Sequence, residues 1–251
     1  MSGFARAASA EWVKIRSVRS TVVTLGLFAL VALGLSWLVA SGFSPGGPKT
    51  DAILPVFFGL LTAQLVLVTF AVATAGAEFS TGTIRASLAA VPSRGRLFAA
   101  KMTAVGLTVG AAALVVELLV FGLVRVVIGD AAAPLNEWWT MEALLGGWIH
   151  LTLLSVFTAA VAVMLRSTVV TLSVLLPVLF LSSQGLGNLD AVRPVAQYLP
   201  DQVGMVIMHM TVPGDPRFGR DYGPWEGLAI LVLWTVAALL GGWFAMRRRD
   251  A

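Results

Sequence analysis

Apolar residues fall along this chain in unbroken blocks of about twenty or more, not in the short stripes of a soluble fold. Six blocks cover residues 21–41, 52–77, 98–125, 143–165, 167–189 and 225–246. A helix needs about 20 mainly apolar residues to cross the roughly 30 Å hydrocarbon core of a bilayer. The pattern therefore predicts an all-α integral membrane protein with six transmembrane helices. The second block carries no charge, the third contains Glu117, the fourth His150 and the fifth Pro177.

The polar stretches divide into three kinds. In residues 1–20, Phe4, Ala8, Trp12, Ile15 and Val18 share one helical face, with Arg6, Ser9, Arg16, Ser17 and Ser20 opposite. That pattern predicts an amphipathic elbow helix in the membrane interface. Residues 190–224 are rich in Pro and Asp and contain "QVGMVIMHM", Gln202 to Met210, which is too short to span. A re-entrant helix and an ordinary external loop both fit it. The third stretch is "EFSTGTIRASLAAVPSRGRLFAAK", Glu78 to Lys101. There Ser80 or Thr81 is placed to cap a helix, Ile84, Leu88 and Val91 form an apolar stripe, and Pro92 ends it. Ser93 then caps the next helix. A short amphipathic helix between the second and third spans is predicted, within residues 78–97.

Composition agrees with the pattern: 58% of residues are hydrophobic and 12% charged, against roughly 25% charged in an ordinary globular chain. The placement of charge adds orientation. Arg6, Lys14, Arg16, Arg19, Arg85, Arg94, Arg96, Lys101, Arg166 and Arg247 to Arg249 fall on one side of the predicted spans. Asp51, Asp130, Glu137, Glu142, Asp190, Asp201, Asp215, Asp221 and Glu226 fall on the other. The positive-inside rule puts both termini in the cytoplasm. The first block is too long for a cleaved signal peptide and lacks its small-residue end.

The chemistry available is narrow. The absence of cysteine excludes disulfides and thiolate zinc sites. "SPGGPKT", Ser44 to Thr50, fails as a phosphate loop and reads as a turn. No serine-hydrolase elbow or zinc-protease histidine pair occurs, and two isolated histidines make no metal site. No catalytic, metal or nucleic-acid-binding residue is therefore assigned. His150 reads as a helix-to-helix hydrogen bond. Gln64, Glu117 and Arg125 stay open between two readings. One is a hydrogen bond at Gln64 with a snorkelling Glu117–Arg125 pair. The other is a polar wall or gate of a translocation path.

Glu78, Gly82, Thr83, Ile84, Arg85, Pro92, Ser93, Arg94, Leu97 and Lys101 make the third stretch resemble the corresponding segment of ABC-2-type permeases, membrane subunits of bacterial ABC exporters. "EWVKIRSVRST" is similar to that family's elbow helix and "FAMRRRDA" to its ending. The resemblance implies a permease, as a homodimer or heterodimer in the bacterial plasma membrane, driven by a separate ATP-binding subunit. ATP and Mg²⁺ would sit on that partner, and this chain would bind no cofactor. Glu78, Gly82, Thr83, Ile84, Arg85, Leu88, Pro92 and Arg94 would form the coupling helix against the ATPase, with Glu78 paired to a nearby Arg. The cargo implied is a hydrophobic or amphipathic compound, such as a drug, antibiotic, peptide or lipid. A lipid-modifying membrane enzyme and a non-transporting anchor or sensor are the alternatives.

Overall fold

The computed structural model describes residues 3–44, 49–183, 189, 191–211 and 219–248, and those residues are all-helical with no strand. The first helix, α1 (Gly3–Ser17), stops at Val18, whose backbone is extended, and the chain restarts at once as α2 (Arg19–Ser41). There follow α3 (Leu54–Ser80), the short α4 (Ile84–Ala90), α5 (Arg94–Ile128) and α6 (Trp138–Leu165). The chain continues through α7 (Thr168–Ser183), α8 (Arg193–Ala196), α9 (Gln202–Ile207) and α10 (Pro224–Arg248).

Five of these, α2, α3, α5, α6 and α10, are long and apolar enough to cross a membrane. The shortest has 23 residues, and a helix of that length is about 35 Å long. This is the fold of a multi-pass membrane protein. The fifth predicted span differs. Within 167–189 the described helix is α7, whose 16 residues cover only about 24 Å. Pro177 lies inside it and removes a backbone hydrogen bond there. Residues 184–188 lie outside the described residues.

The central helices are α3 and α6, which pack on each other. Outside them, α2 lies on α3 and α5, α7 on α3, and α10 on α6. The outer helices are apolar all round: Val22 of α2 is 72% exposed and Leu233 of α10 is also exposed. Such faces suit hydrocarbon, not water. Close approach is built from small residues. A Cβ on Gly59 of α3 would lie 2.5 Å from the Ala32 carbonyl oxygen of α2, so these two helices meet at their backbones.

The two ends of the bundle differ. One end, where α2 and α5 begin and α3, α6 and α10 finish, carries α1, α4 and most of the basic residues. Here α1 packs on α5 through Ala7, Glu11 and Ile15. Its buried face is therefore rotated from the predicted apolar one, and Phe4, Trp12 and Val18 are left exposed. At the opposite end α9 packs against α6 and α10. The Cβ position of Gly204 lies 2.6 Å from the His150 ring, and that of Gly146 lies 2.6 Å from the Ile207 carbonyl oxygen. His150 is about 18 Å along α6 from its first residue, so α9 dips into the bundle. The described part of residues 190–224 is thus packed against the helices and does not stand away from them as a free loop.

Candidate functional site

The basic end brings together groups that lie far apart in sequence. Lys101 Nζ, from the first turns of α5, donates to Glu11 Oε2 of α1 at 2.9 Å and lies 3.4 Å from Glu78 Oε2 of α3. Lys14 Nζ donates to Glu11 Oε1 at 2.6 Å and to Glu78 Oε1 at 2.7 Å. It also donates to Ser87 Oγ of α4 at 3.2 Å. Two carboxylates and two ammonium groups thus close a ring of zero net charge that touches four helices. Lys101 is 2% exposed and Glu11 is equally hidden, whereas Lys14 stands half in the open. Burial pushes the Lys14 ammonium down, but the hydrogen bonds and charges of Glu11 and Glu78 outweigh it and hold its pKa raised.

The ring corrects three expectations. Among the described residues Glu78 pairs with two lysines and with no arginine. Glu78 also does not interrupt the membrane helix: α3 runs on to Ser80. Ser80 and Thr81 cap nothing ahead of them. Their hydroxyls bond back to the Gly76 and Ala77 carbonyls, and the N-cap position of α4 is Thr83. Thr83 makes no capping bond through its side chain but shares one with the Thr81 hydroxyl. Gly82 turns the chain between α3 and α4 at φ +75, where an L side chain is strained.

The apolar stripe of α4 faces inward. Ile84 is buried, and Leu88 and Val91 pack on the same core. Outward stand Gly82, Thr83, Arg85, Ala86, Ala89, Ala90 and Pro92. Phe79, Gly82, Ile84, Arg85 and Arg166 line a depression of about 250 Å³ beside this face. Arg166 ends α6 with a left-handed backbone, lies over the Phe79 ring and donates to the Ala245 carbonyl at 3.1 Å. Ser93 does precede α5, though its side chain makes no capping bond. Arg94 turns aside toward the carbonyls of Met246 and Arg247 at the end of α10.

Deeper in the bundle, Gln64 and His150 meet: His150 Nε2 and Gln64 Oε1 are 3.1 Å apart. Both are buried, and this joins α3 to α6 as expected of a helix-to-helix bond. Glu117 and Arg125 do not pair. Arg125 is exposed and donates to the Ala133 carbonyl at 3.3 Å. Glu117 is 1% exposed, and neither of its oxygens finds a hydrogen-bond partner. It faces α6, where a Cβ on Gly147 would lie 2.5 Å from its Oε1. The snorkelling pair is thus excluded, because two turns of α5 carry Arg125 out of the bundle while Glu117 points into it.

The segment around α9 has its own polar core. Arg220 donates to Gln202 Oε1 at 2.7 Å, and Gln202 Nε2 donates to Asp201 Oδ2 at 2.9 Å. Gln197 Nε2 donates to Asp221 at 2.7 Å, and Tyr222 donates its hydroxyl to the Gln197 carbonyl. Burial pushes the Asp201 carboxyl up to about 7, against the opposing pull of Gln202 and Arg220. His209 has a left-handed backbone and sits 3.8 Å from Glu142. The two histidines therefore have separate partners, and among the described residues no three metal-ligating side chains converge. The residue missed by sequence reasoning is Glu11. Its signal was its spacing of four from Ala7 and Ile15, which puts a carboxylate on the packed side of α1.

Searches against models of known protein families and against curated proteins return no match for this chain.

Proposed function

We propose that this chain is the permease subunit of an ATP-driven transporter of the ABC-2 type. In this reading six spans, with α7 as the fifth, sit in a bacterial plasma membrane with both termini in the cytoplasm. Two such subunits, alike or different, would alternate access for a hydrophobic or amphipathic compound, most simply outward. ATP and Mg²⁺ belong to a separate ATP-binding subunit, and α4 is where that subunit docks.

The observation that carries the reading is the mounting of α4. An exposed seven-residue helix is rooted by Ile84 in the core and linked through Ser87 to the Lys14 ring. A push on it would reach α1, α3 and α5 together. Its outer face offers small residues that let a partner approach closely. Arg85 and Arg166, beside the same depression, suit an acidic side chain of that partner. Gln64 and Glu117 lie among α3, α5 and α6 as polar groups inside the bundle, the position a translocation path requires. Arg125 lies outside that group.

The test is purification of the tagged chain from its own membranes. An Mg-ATP-hydrolysing subunit is expected to accompany it, its turnover rising with transported compound, and Arg85→Glu is expected to release it. A chain that arrives with no nucleotide hydrolase sinks the proposal. Hydrolysis that no compound stimulates would make the chain an anchor and not a permease.

A further inference from the structure

A row of buried polar atoms without protein partners runs along α6. Thr140 Oγ1, both Glu117 oxygens, His150 Nδ1 and Gln64 Nε2 are buried, and none makes a hydrogen bond among the described residues. Their placement is ordered. Glu117 of α5 reaches α6 at Gly147. Thr140 lies seven residues before Gly147 and His150 three after it, spacings that share one helical face. From Thr140 to His150 the row covers about 15 Å of α6, and Gln64 of α3 joins it at His150.

Buried polar atoms are ordinarily paired, and the other threonines of the spans show how. Thr62, Thr69, Thr108, Thr152 and Thr235 each bond back to the carbonyl four residues earlier. Thr140 does not, although it is wholly covered.

Glu117 is the extreme member of the row, because no ion pair reaches it among the described residues. Every charged residue of α2, α3, α6 and α10 lies in the first or last two turns of its helix, and α7 and α9 carry none. The other charges of α5 also sit near its ends, and Glu142 of α6 faces His209. His150 is thus the only other titratable side chain of these helices in the middle of the bundle.

One positive charge would neutralise Glu117. A metal cation needs several ligands, and among the described residues no three metal-ligating side chains converge. An organic ammonium needs room. The Cβ position of Gly147 lies 2.5 Å from Glu117 Oε1 and 2.6 Å from the Phe57 ring, so little space remains beside that oxygen. A proton needs neither.

We propose that Glu117 is a proton-binding site, reached along the α6 row from the end of the bundle where α9 packs. Hydronium there gives one proton to a Glu117 oxygen, leaving water and a neutral carboxyl. The Thr140 hydroxyl, both donor and acceptor, stands at the entrance, and water bridges the step to Glu117. The His150–Gln64 pair closes the inner end. The site needs no ATP-binding subunit, so it stands or falls apart from the permease reading.

The test is infrared spectroscopy of the purified full-length chain in detergent as H2O is exchanged for D2O. The carboxylic-acid carbonyl region of the unmodified chain is expected to hold a band that Glu117→Gln removes and Glu117→Asp shifts. Deuterium entry is expected to move that band. Thr140→Val and Thr140→Ala are expected to slow the movement by about tenfold or more, while Thr140→Ser retains the rate. Spectra that coincide in this region for the unmodified chain and either folded Glu117 variant overturn the site. Deuterium entry as fast in a folded Thr140→Val or Thr140→Ala chain overturns the route.

Discussion

Lys101 is buried where it holds Glu11 and stands near Glu78, so its removal leaves one buried and one partly buried carboxylate to share Lys14. Lys101→Met is expected to destabilise the chain by about 3–5 kcal/mol, the usual effect of stranding a buried charge. Glu11→Gln/Lys101→Met, which removes one charge of each sign, is expected to recover part of that loss. Thermal unfolding in detergent measures both. Asp201 gives a pH prediction of opposite character. Its folded pKa of about 7 is above the ordinary carboxyl value, so the native state favours the protonated form. Its burden on stability is absent below about pH 4. The burden grows as pH rises and is complete above about pH 7. The opening free energy of residues 201–207, taken from hydrogen exchange after correction for the intrinsic pH dependence of amide exchange, is expected to fall over that window, and Asp201→Asn to remove that fall. These side chains also mark the reach of sequence reasoning. The polar segment from Glu78 was visible, but its partners were not, because Lys14 and Glu11 lie more than sixty residues away. A carboxylate in a basic amphipathic helix reads as solvent-facing until the helix it packs on is known.

Element boundaries were legible where length and charge set them. The apolar blocks give five long helices, since nothing but a helix satisfies so long a backbone in hydrocarbon. The exceptions have local causes. Glu78 stays helical because lysines from two other helices compensate it, so α3 outruns its apolar block. Pro177 sits inside α7, the one block where the described helix falls short. Between α3 and α4 the decisive residue is Gly82 with its positive φ. Gly82→Ala meets no neighbour within 4 Å, so its effect is purely conformational. A loss of about 1 kcal/mol is expected, read by thermal unfolding; on the proposed function, less of an ATP-hydrolysing subunit would also accompany the purified variant. Gly204 is the contrasting case, tight against the His150 ring. Gly204→Leu is expected to expel α9 from the bundle and to expose residues 202–207 to protease.

At the scale of the whole molecule, the gathering of arginines and lysines at one end of the bundle was legible, while the inward packing of α9 was not. Only the packing of Gly204 on His150 reveals that an acidic, proline-rich stretch returns into the bundle. A chain without cysteine makes the orientation simple to test. Ala90 at the basic end and Trp138 at the opposite end are both exposed. A membrane-impermeant maleimide is expected to label Trp138→Cys on intact cells, and Ala90→Cys only after permeabilisation; the reverse pattern would invert the topology. The four-charge ring also sets an order of assembly. Glu11 and Lys14 leave the ribosome first, Glu78 follows after two apolar helices, and Lys101 comes last of the four. Until the start of α5 is synthesised, the elbow cannot be locked and its carboxylate must stay near water. The elbow helix α1 is therefore made before the other described helices but fastened only once α5 has begun. A nascent chain halted before Lys101 would carry it as a loose arm on the membrane surface.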